Sequence, residues 1–418
     1  MKAEIIAVGT ELLTPDFQDT NSLYLTAGLN RLGIPVSYKT IVGDDEADLT
    51  RVLRAAIARA GLVLCMGGLG PTEDDRTRET LAKVLKRKLV FRAAIRAGLR
   101  ERFKRRGLPM SSSNLKQCYV IKGAQVLHNP NGTAPGQWLE TGRLRIVLLP
   151  GPPREIRPMF EDQVLPRLSG LGRGLSVRRI LRLTGLGESS METRLKPVYA
   201  AVPAGVTVTT LASPGDLAIH LSYTGAGPRE TAEARLNGLE NAILKALGPW
   251  VYARRGESLE EVVGGILRDK GLTIACAESC TGGLIGHRLT NVPGSSDYFL
   301  ESAVVYSDRA KIRRLGVPAT VLRGHGAVSA PVARAMAEGI RRTSGADLGL
   351  SVTGIAGPGG GSSRKPVGLV YLALATARGT TVERHLFFGG RAQVKFQSSQ
   401  KALDIVRKTL TAGRGKVL

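Results

Sequence analysis

The stretch T-I-A-C-A-E-S-C-T-G-G at 273–283 decides how the C-terminal part of this chain folds. An apolar, strand-like run over 272–277 stops at Glu278-Ser279-Cys280, and Thr281-Gly282-Gly283 then opens a helical pattern carried by Leu284, Ile285 and Leu289. A strand that turns directly into a helix is the repeating unit of an α/β sheet. The turn places Ser279 beside the unpaired N–H groups of a helix start, which can hold a phosphate or a developing oxyanion.

A hydroxyl in that position becomes a nucleophile only if a base serves it. Y-S-D-R-A-K at 306–311 offers Lys311, since a shielded lysine can lose its proton and activate a serine without histidine. T-G-I-A-G-P-G-G at 353–360 adds a glycine-rich loop after a further apolar run, suited to close backbone approach to a ligand. Each signal alone has a plain alternative. Ser279 also reads as a helix cap, Lys311 as a solvated helix residue, Tyr306 as a half-buried strand residue and the glycines as a turn. Cys280, beside the serine, is the stronger intrinsic nucleophile.

The first part of the chain alternates in the same way. Strands are expected over 4–8, 35–42 and 62–66, and helices over 21–32 and 47–60, which predicts a parallel sheet with helices on both faces. Further strands are expected over 117–121 and 145–149, and a closing helix over 154–167. G-G-L-G-P-T at 67–72 follows an apolar strand and precedes Glu73-Asp74-Asp75 and a helix. Backbone N–H groups at Gly67, Gly68 and Gly70, with Thr72, could face phosphates, while the acids could hold a divalent cation. The alternative is a strand-to-helix turn whose acids stabilise the helix start. Between these parts, a βαββα order over about 177–252 resembles a KH-like or other small α+β module. It has no G-x-x-G loop between adjacent helices, so RNA binding is not inferred from it. Residues 254–257 are the expected hinge.

Composition narrows the classes. With 418 residues the chain accommodates two or three domains, and its hydrophobic content of 43% suits a soluble globular protein. No apolar stretch approaches the roughly 18 residues that span a bilayer. The first residues read as a short buried strand rather than a signal peptide, because Glu4 and Glu11 bracket the apolar run. Cys65, Cys118, Cys276 and Cys280 lack C-x-x-C spacing, so neither a disulfide framework nor a zinc site is expected, and a reducing cytoplasm is the expected compartment. The net charge of +24 suggests anionic partners. Arg92, Arg96, Arg100 and Lys104 recur at four-residue spacing on one helix face, with little aromatic content for base stacking. A solvated face is the favoured reading there, and nucleic-acid binding is not expected.

Taken with A-E-S-C-T-G-G-L-I at 277–285, the motifs V-P-G-S-S at 292–296, V-V-Y-S-D-R-A-K at 304–311, G-A-V-S at 326–329, M-A-E-G at 336–339 and K-P-V-G-L-V-Y at 365–371 resemble the CinA family, the competence/damage-inducible proteins. G-T-E-L-L at 9–13, D-T-N at 19–21, Asp44, the glycine turn, N-P-N-G-T-A-P-G at 129–136 and L-L-P-G-P-P at 148–153 resemble the MoaB/MogA-type domain found at the N-terminus of that family. The chain departs from the family pattern at Thr14-Pro15-Asp16, at Cys276 and at Glu301-Ser302, where Gly-Gly is usual.

The resemblance implies an α/β protein with a three-layer MoaB/MogA-like domain over 1–170, a small α+β KH-like domain over 171–253 and an α/β CinA domain over 254–418. It implies a nicotinamide mononucleotide deamidase with Ser279 as nucleophile and Tyr306 and Lys311 as its partners, needing no cofactor. Thr281, Gly282 and Gly283 would lie at the oxyanion, and Thr353, Gly354 and Gly357 at the nucleotide. For the N-terminal domain it implies an ADP-ribose pyrophosphatase using a divalent metal, with Asp44 and Asp75 at the family's acidic positions and Asp74 beside them. A homodimer acting on small nucleotides, away from membranes, is expected. The rival is a basic, non-enzymatic scaffold that binds DNA or recombination proteins.

Overall fold

Strand Ile274–Glu278 is buried along its whole length, because both faces of its sheet are covered. Alternation sends Ile274 and Cys276 to one face, against Val263, Leu267, Ile285, Leu289 and Leu403. Ala275 and Ala277 face the other way, against Leu315, Val332 and Met336. The small alanines let helix Ala330–Ser344 lie close, and Gly349 and Gly339 have backbone against their Cα atoms for the same reason. The sheet orders its strands as Phe299–Val304, Ile274–Glu278, Leu348–Gly354, Leu369–Thr376 and Gly379–Leu386. The first three are parallel and the last two antiparallel.

The computed structural model describes residues 1–171, 175–225 and 227–412. Residues 172–174, 226 and 413–418, included in the expected domain ranges, lie outside the described residues. The chain divides into two compact units, one of Met1–Val177 with Tyr223–Glu233 and one of Arg178–Ser222 with Ala234–Leu418.

In the N-terminal unit the sheet runs Val36–Val42, Ala3–Val8, Leu62–Met66, Leu144–Leu149, Gly136–Thr141 and Gln125–Leu127. Helices cover both faces, and the strands expected at 4–8, 35–42, 62–66 and 145–149 pair in parallel, while two strands not expected from sequence extend the sheet. The last two strands run antiparallel and close one edge. Residues 117–121 are reassigned. Ser112–Cys118 forms 3-10 turns, and Tyr119–Ile121 pairs with Leu89–Phe91 in a separate two-stranded ribbon. The closing helix is broken into Pro153–Met159, a π turn at Phe160–Val164 and Leu165–Leu168. Helix Glu46–Arg59 starts where Asp45 accepts from the Ala47 and Asp48 N–H groups. Glu4, fully buried in its strand, is held by the Arg59 guanidinium at 2.7 and 2.8 Å.

The α+β segment has the expected βαββα order, in a four-stranded sheet that also takes in Val251–Ala253. Its Arg254 and Arg255 do not form a free hinge. Both donate to Glu240, a buried carboxylate on helix Arg229–Leu247 that Arg179 also contacts. Burial alone would raise the Glu240 carboxyl, but hydrogen bonds from Arg254 and Arg179 outweigh it and hold the group below its usual range.

Candidate active site

Three sequence-distant segments leave the C-terminal sheet at one end. Ser279 follows strand Ile274–Glu278, Val305 and Tyr306 follow Phe299–Val304, and Ile355 follows Leu348–Gly354. These strands are parallel neighbours, so their carboxyl ends converge, which is where open α/β sheets hold ligands. The Ser279 N–H donates to Val352 O at 3.0 Å, which ties its turn to strand Leu348–Gly354, and the Val305 N–H donates to Glu278 O at 2.8 Å, which ties that segment to strand Ile274–Glu278.

Helix Asp308–Leu315 then carries Lys311 inward. Ser307 caps it, accepting from the Ala310 N–H at 3.2 Å. The Lys311 Nζ lies 3.3 Å from Ser279 Oγ and also donates to Val305 O at 2.9 Å and Tyr306 O at 3.2 Å. Lys311 is 1% exposed, so it is not the solvated helix residue that its sequence context also allowed. Burial pushes its ammonium below the ordinary lysine range, against the opposing pull of Asp308. The neutral amine is therefore more accessible than on a surface lysine. Cys280 is different. Its side chain packs into the core, and burial pushes the thiol up to about 12. That removes the thiolate a cysteine nucleophile needs.

Glu278, which sequence reasoning passed over, holds the turn that carries Ser279. Its carboxylate is fully buried and accepts from the N–H groups of Gly283, Ile285 and Gly286 at 3.0, 3.1 and 2.8 Å, and from the Ser302 hydroxyl at 2.9 Å. The start of helix Leu284–Thr290 is thereby satisfied from within. This corrects the expectation that Thr281, Gly282 and Gly283 all offer N–H groups to an oxyanion. The Gly283 N–H serves Glu278 and the Gly282 N–H serves Ser279 O, leaving that of Thr281 without a partner among the described residues. The Thr281 hydroxyl is likewise buried and unpartnered.

Tyr306 meets the pair through its backbone. Its ring is 60% exposed, and its hydroxyl accepts from Arg391 at 3.0 Å rather than meeting Lys311 or Ser279. Arg391 also donates to Gly357 O at 2.8 Å, joining the glycine loop to the tyrosine. With Leu284, Ala392 and Lys395 it lines a cleft of about 400 Å³. No sequence motif singled out Arg391 or Lys395, although two cations in the first turns of helix Arg391–Thr411 were a legible charge signal. Thr353 is buried and its hydroxyl donates to Ala327 O at 2.8 Å, while Gly354 packs tightly against Val370 and Leu369 O. Both therefore shape the loop rather than present groups to a ligand.

The N-terminal site also assembles at the carboxyl ends of parallel strands. Asp44, Gly67, Gly68, Gly70, Asp74 and Asp75 line one cleft of about 660 Å³, together with Phe17 and Glu155. Gly67 has φ +96° and would place a Cβ 2.1 Å from Val8 O, so only glycine fits. Gly70 has the Asp75 carboxylate against its Cα. Thr72 faces Asp75 rather than the cleft, donating through both N–H and hydroxyl, and its carbonyl accepts from Lys116 at 2.6 Å. Asp44 Oδ2 accepts from the Thr10 N–H and hydroxyl at 2.8 and 2.7 Å. Among the described residues no three His, Cys, Asp or Glu side chains gather to hold a metal by themselves. Among the described residues Asp44 and Asp75 each keep an oxygen free of protein donors, which fits a hard cation that takes one or two carboxylates and completes its shell with water and phosphate.

Residues 256–410 match the family described as "CinA C-terminal domain", 178–253 that described as "Damage-inducible protein CinA KH domain", and 4–170 that described as "Probable molybdopterin binding domain". A CinA-like protein of Koribacter versatilis is 47% identical over 98% of this chain and 100% of its own. Another, of Solibacter usitatus, is 45% identical over 98% and 99%. The chain belongs to the CinA family. Among solved structures, the competence/damage inducible protein CihA of Agrobacterium tumefaciens is 40% identical, over 37% of this chain and 93% of that one, with a TM-score of 0.35. Within the CinA C-terminal domain lie Ser279, Tyr306, Lys311 and Arg391, and the molybdopterin-binding-type domain carries the aspartate-lined cleft. Among the described residues of this CinA protein no helix is long and apolar enough to cross a membrane.

Proposed function

We propose that the C-terminal domain hydrolyses the carboxamide of nicotinamide mononucleotide, giving nicotinic acid mononucleotide and ammonia. The observation that carries this reading is the buried Lys311 amine 3.3 Å from the Ser279 hydroxyl. A buried lysine with a lowered pKa is a strained choice for structure alone and a suitable one for a base. Neutral Lys311 takes the Ser279 proton as the oxygen bonds to the carboxamide carbon. The oxyanion is stabilised at the Thr281 N–H. Lys311 returns the proton to the departing nitrogen, the carbon–nitrogen bond breaks and ammonia leaves. Water then opens the acyl-enzyme with Lys311 again as base. Arg391 and Lys395, at the mouth, suit the substrate phosphate. Incubating purified protein with nicotinamide mononucleotide while ammonia is followed tests the reading, and no release above a Ser279→Ala control would end it.

A second reading concerns the N-terminal cleft, where carboxylates and a glycine turn surround one space. Metal-assisted cleavage of ADP-ribose to AMP and ribose 5-phosphate suits it. Asp44 and Asp75 would hold a divalent cation, which when bound supplies neutralisation of pyrophosphate charge. The backbone at 67–70 would approach the phosphates closely. The rival scaffold reading gives no reason to bury a lysine against a serine. Salt-dependent binding to random DNA, measured beside amide hydrolysis, separates the two.

A further inference from the structure

The N-terminal unit holds a second concavity, larger than the aspartate-lined cleft. About 840 Å³ in volume, it opens between helix Ala93–Arg105 and the loop at 128–135. Ile95, Leu99 and Val126 are among its apolar lining, and Arg92, Arg102, Arg105, Arg106 and His128 bring cationic or basic nitrogen to it, with no carboxylate in the lining. The volume lies in the range that encloses small-molecule ligands.

The arginines differ in how they are used. Arg102 is structural, donating to Asn129 O at 3.2 Å and Pro130 O at 2.9 Å. Arg105 has a loose, exposed pairing with Glu101 at 3.7 Å. Arg92 and Arg106 have no ion-pair partner among the described residues. A solvated helix face requires no concavity and commonly intersperses acids with its bases. Here the charge converges on a hollow from two ends of one helix, over an apolar floor. The wall is also built rather than loose. Asn129, pinned by Arg102, donates to Glu155 at 2.7 Å, and Gln117 donates to Thr133 at 3.1 Å, with Thr133 lining both this hollow and the cleft.

We propose that this hollow binds a small polyphosphate-bearing molecule, held by Arg92, Arg105 and Arg106 at a site that adjoins the aspartate-lined cleft at Thr133 but uses none of its carboxylates. Guanidinium forks match phosphate oxygens in pairs, and two unpaired ones with a third only loosely paired around one hollow favour a multiply charged ligand over a single carboxylate. The absence of Phe, Tyr and Trp from the lining argues against single-stranded nucleic acid, which needs stacking surfaces.

The test is calorimetric titration of the full chain with inorganic tripolyphosphate at fixed ionic strength. A saturable site is expected that weakens at least tenfold in an Arg92→Ser/Arg106→Ser double variant, with its thermal transition unchanged because both residues are exposed. Asp44→Asn and Arg391→Ser, which alter the other two sites, should leave that affinity in place. Absence of saturable binding, or full affinity in the double variant, overturns the proposal. So does loss of binding in Asp44→Asn or Arg391→Ser, which would locate the anion at an active site. A DNA oligonucleotide that binds more tightly than tripolyphosphate and is lost in the same double variant would reassign the hollow to nucleic acid.

Discussion

Lys311 Nζ stands 3.3 Å from Ser279 Oγ, the serine following strand Ile274–Glu278 directly and the lysine carried on the helix Asp308–Leu315 that follows the adjacent parallel strand. Each would be unremarkable alone. Their meeting in a buried place suits the amine to the proposed role of base, with one hydroxyl within reach. Ser279→Ala should therefore lower deamidation at least about a thousandfold while the fold survives. Cys280→Ser should leave the rate within about an order of magnitude, since the core thiol is held away from its thiolate form. Steady-state ammonia release from the two variants decides between the nucleophiles. A Cys280→Ser enzyme as inactive as Ser279→Ala would assign the chemistry to sulfur.

The pH dependence follows from the direction of the Lys311 shift. Burial lowers it from the ordinary 10.5, so the neutral fraction, and with it the rate, should rise with pH through the lowered value. Lys311→Arg should lose about a hundredfold or more at every pH, because a guanidinium does not give up its proton. The shift also sets a sign for stability. Between the lowered folded value and 10.5 the unfolded chain binds more protons, so folding becomes more favourable as pH rises across that window. A flat rate profile across that acidic limb would refute the base assignment.

Tyr306 is where sequence and structure differ most instructively. The motif placed it with Ser279 and Lys311, and its backbone carbonyl is there, accepting from Lys311 at 3.2 Å. Its hydroxyl instead meets Arg391, at the start of the last long helix. Tyr306→Phe should thus raise KM more than it lowers kcat, with the acidic limb unmoved. A profile shifted along with Lys311 variants would return the phenol to proton transfer.

The strand-turn-helix at the nucleophile was legible because an apolar run ending in Ser-Cys-Thr-Gly-Gly changes period from two to about three and a half within a few residues. The antiparallel edges were not, since short runs such as 125–127 and 136–141 carry no mark of strand direction. Lys311 burial was invisible for a related reason: a helix rich in Arg and Asp looks solvated until the strand beside it is placed. Glu278 gave no signal of its role in sequence, because its partners lie five to eight residues onward and at Ser302 on the next strand.

That buried carboxylate gives a stability prediction. Glu278→Gln exchanges one accepting oxygen for an amide that faces N–H donors, and should cost about 2 kcal/mol. Ser302→Gly removes one of four donors, so a smaller loss of about 1 kcal/mol is expected. Denaturant unfolding followed on the C-terminal unit measures both. Glu278→Gln should also slow turnover, since the Ser279 turn rests on this cap. Ser302→Gly costing as much as Glu278→Gln would mean that the hydroxyl, rather than the backbone donors, anchors the carboxylate.

The two clefts should respond differently to metal removal. Asp44 and Asp75 line one cleft, and among the described residues no third His, Cys, Asp or Glu gathers with them to form a cage, so a cation there would depend on phosphate and exchange readily. Chelator should abolish ADP-ribose cleavage, and added Mg²⁺ should restore it. Asp44→Asn should impair it in the same way, having lost charge while keeping an acceptor for the Thr10 N–H. Deamidation should persist through both treatments, because Ser279 and Lys311 exchange a proton without metal. Parallel assays of AMP and ammonia on one preparation make the comparison. If chelation stops both products together, the two activities share a site and the division of labour argued from these clefts is wrong.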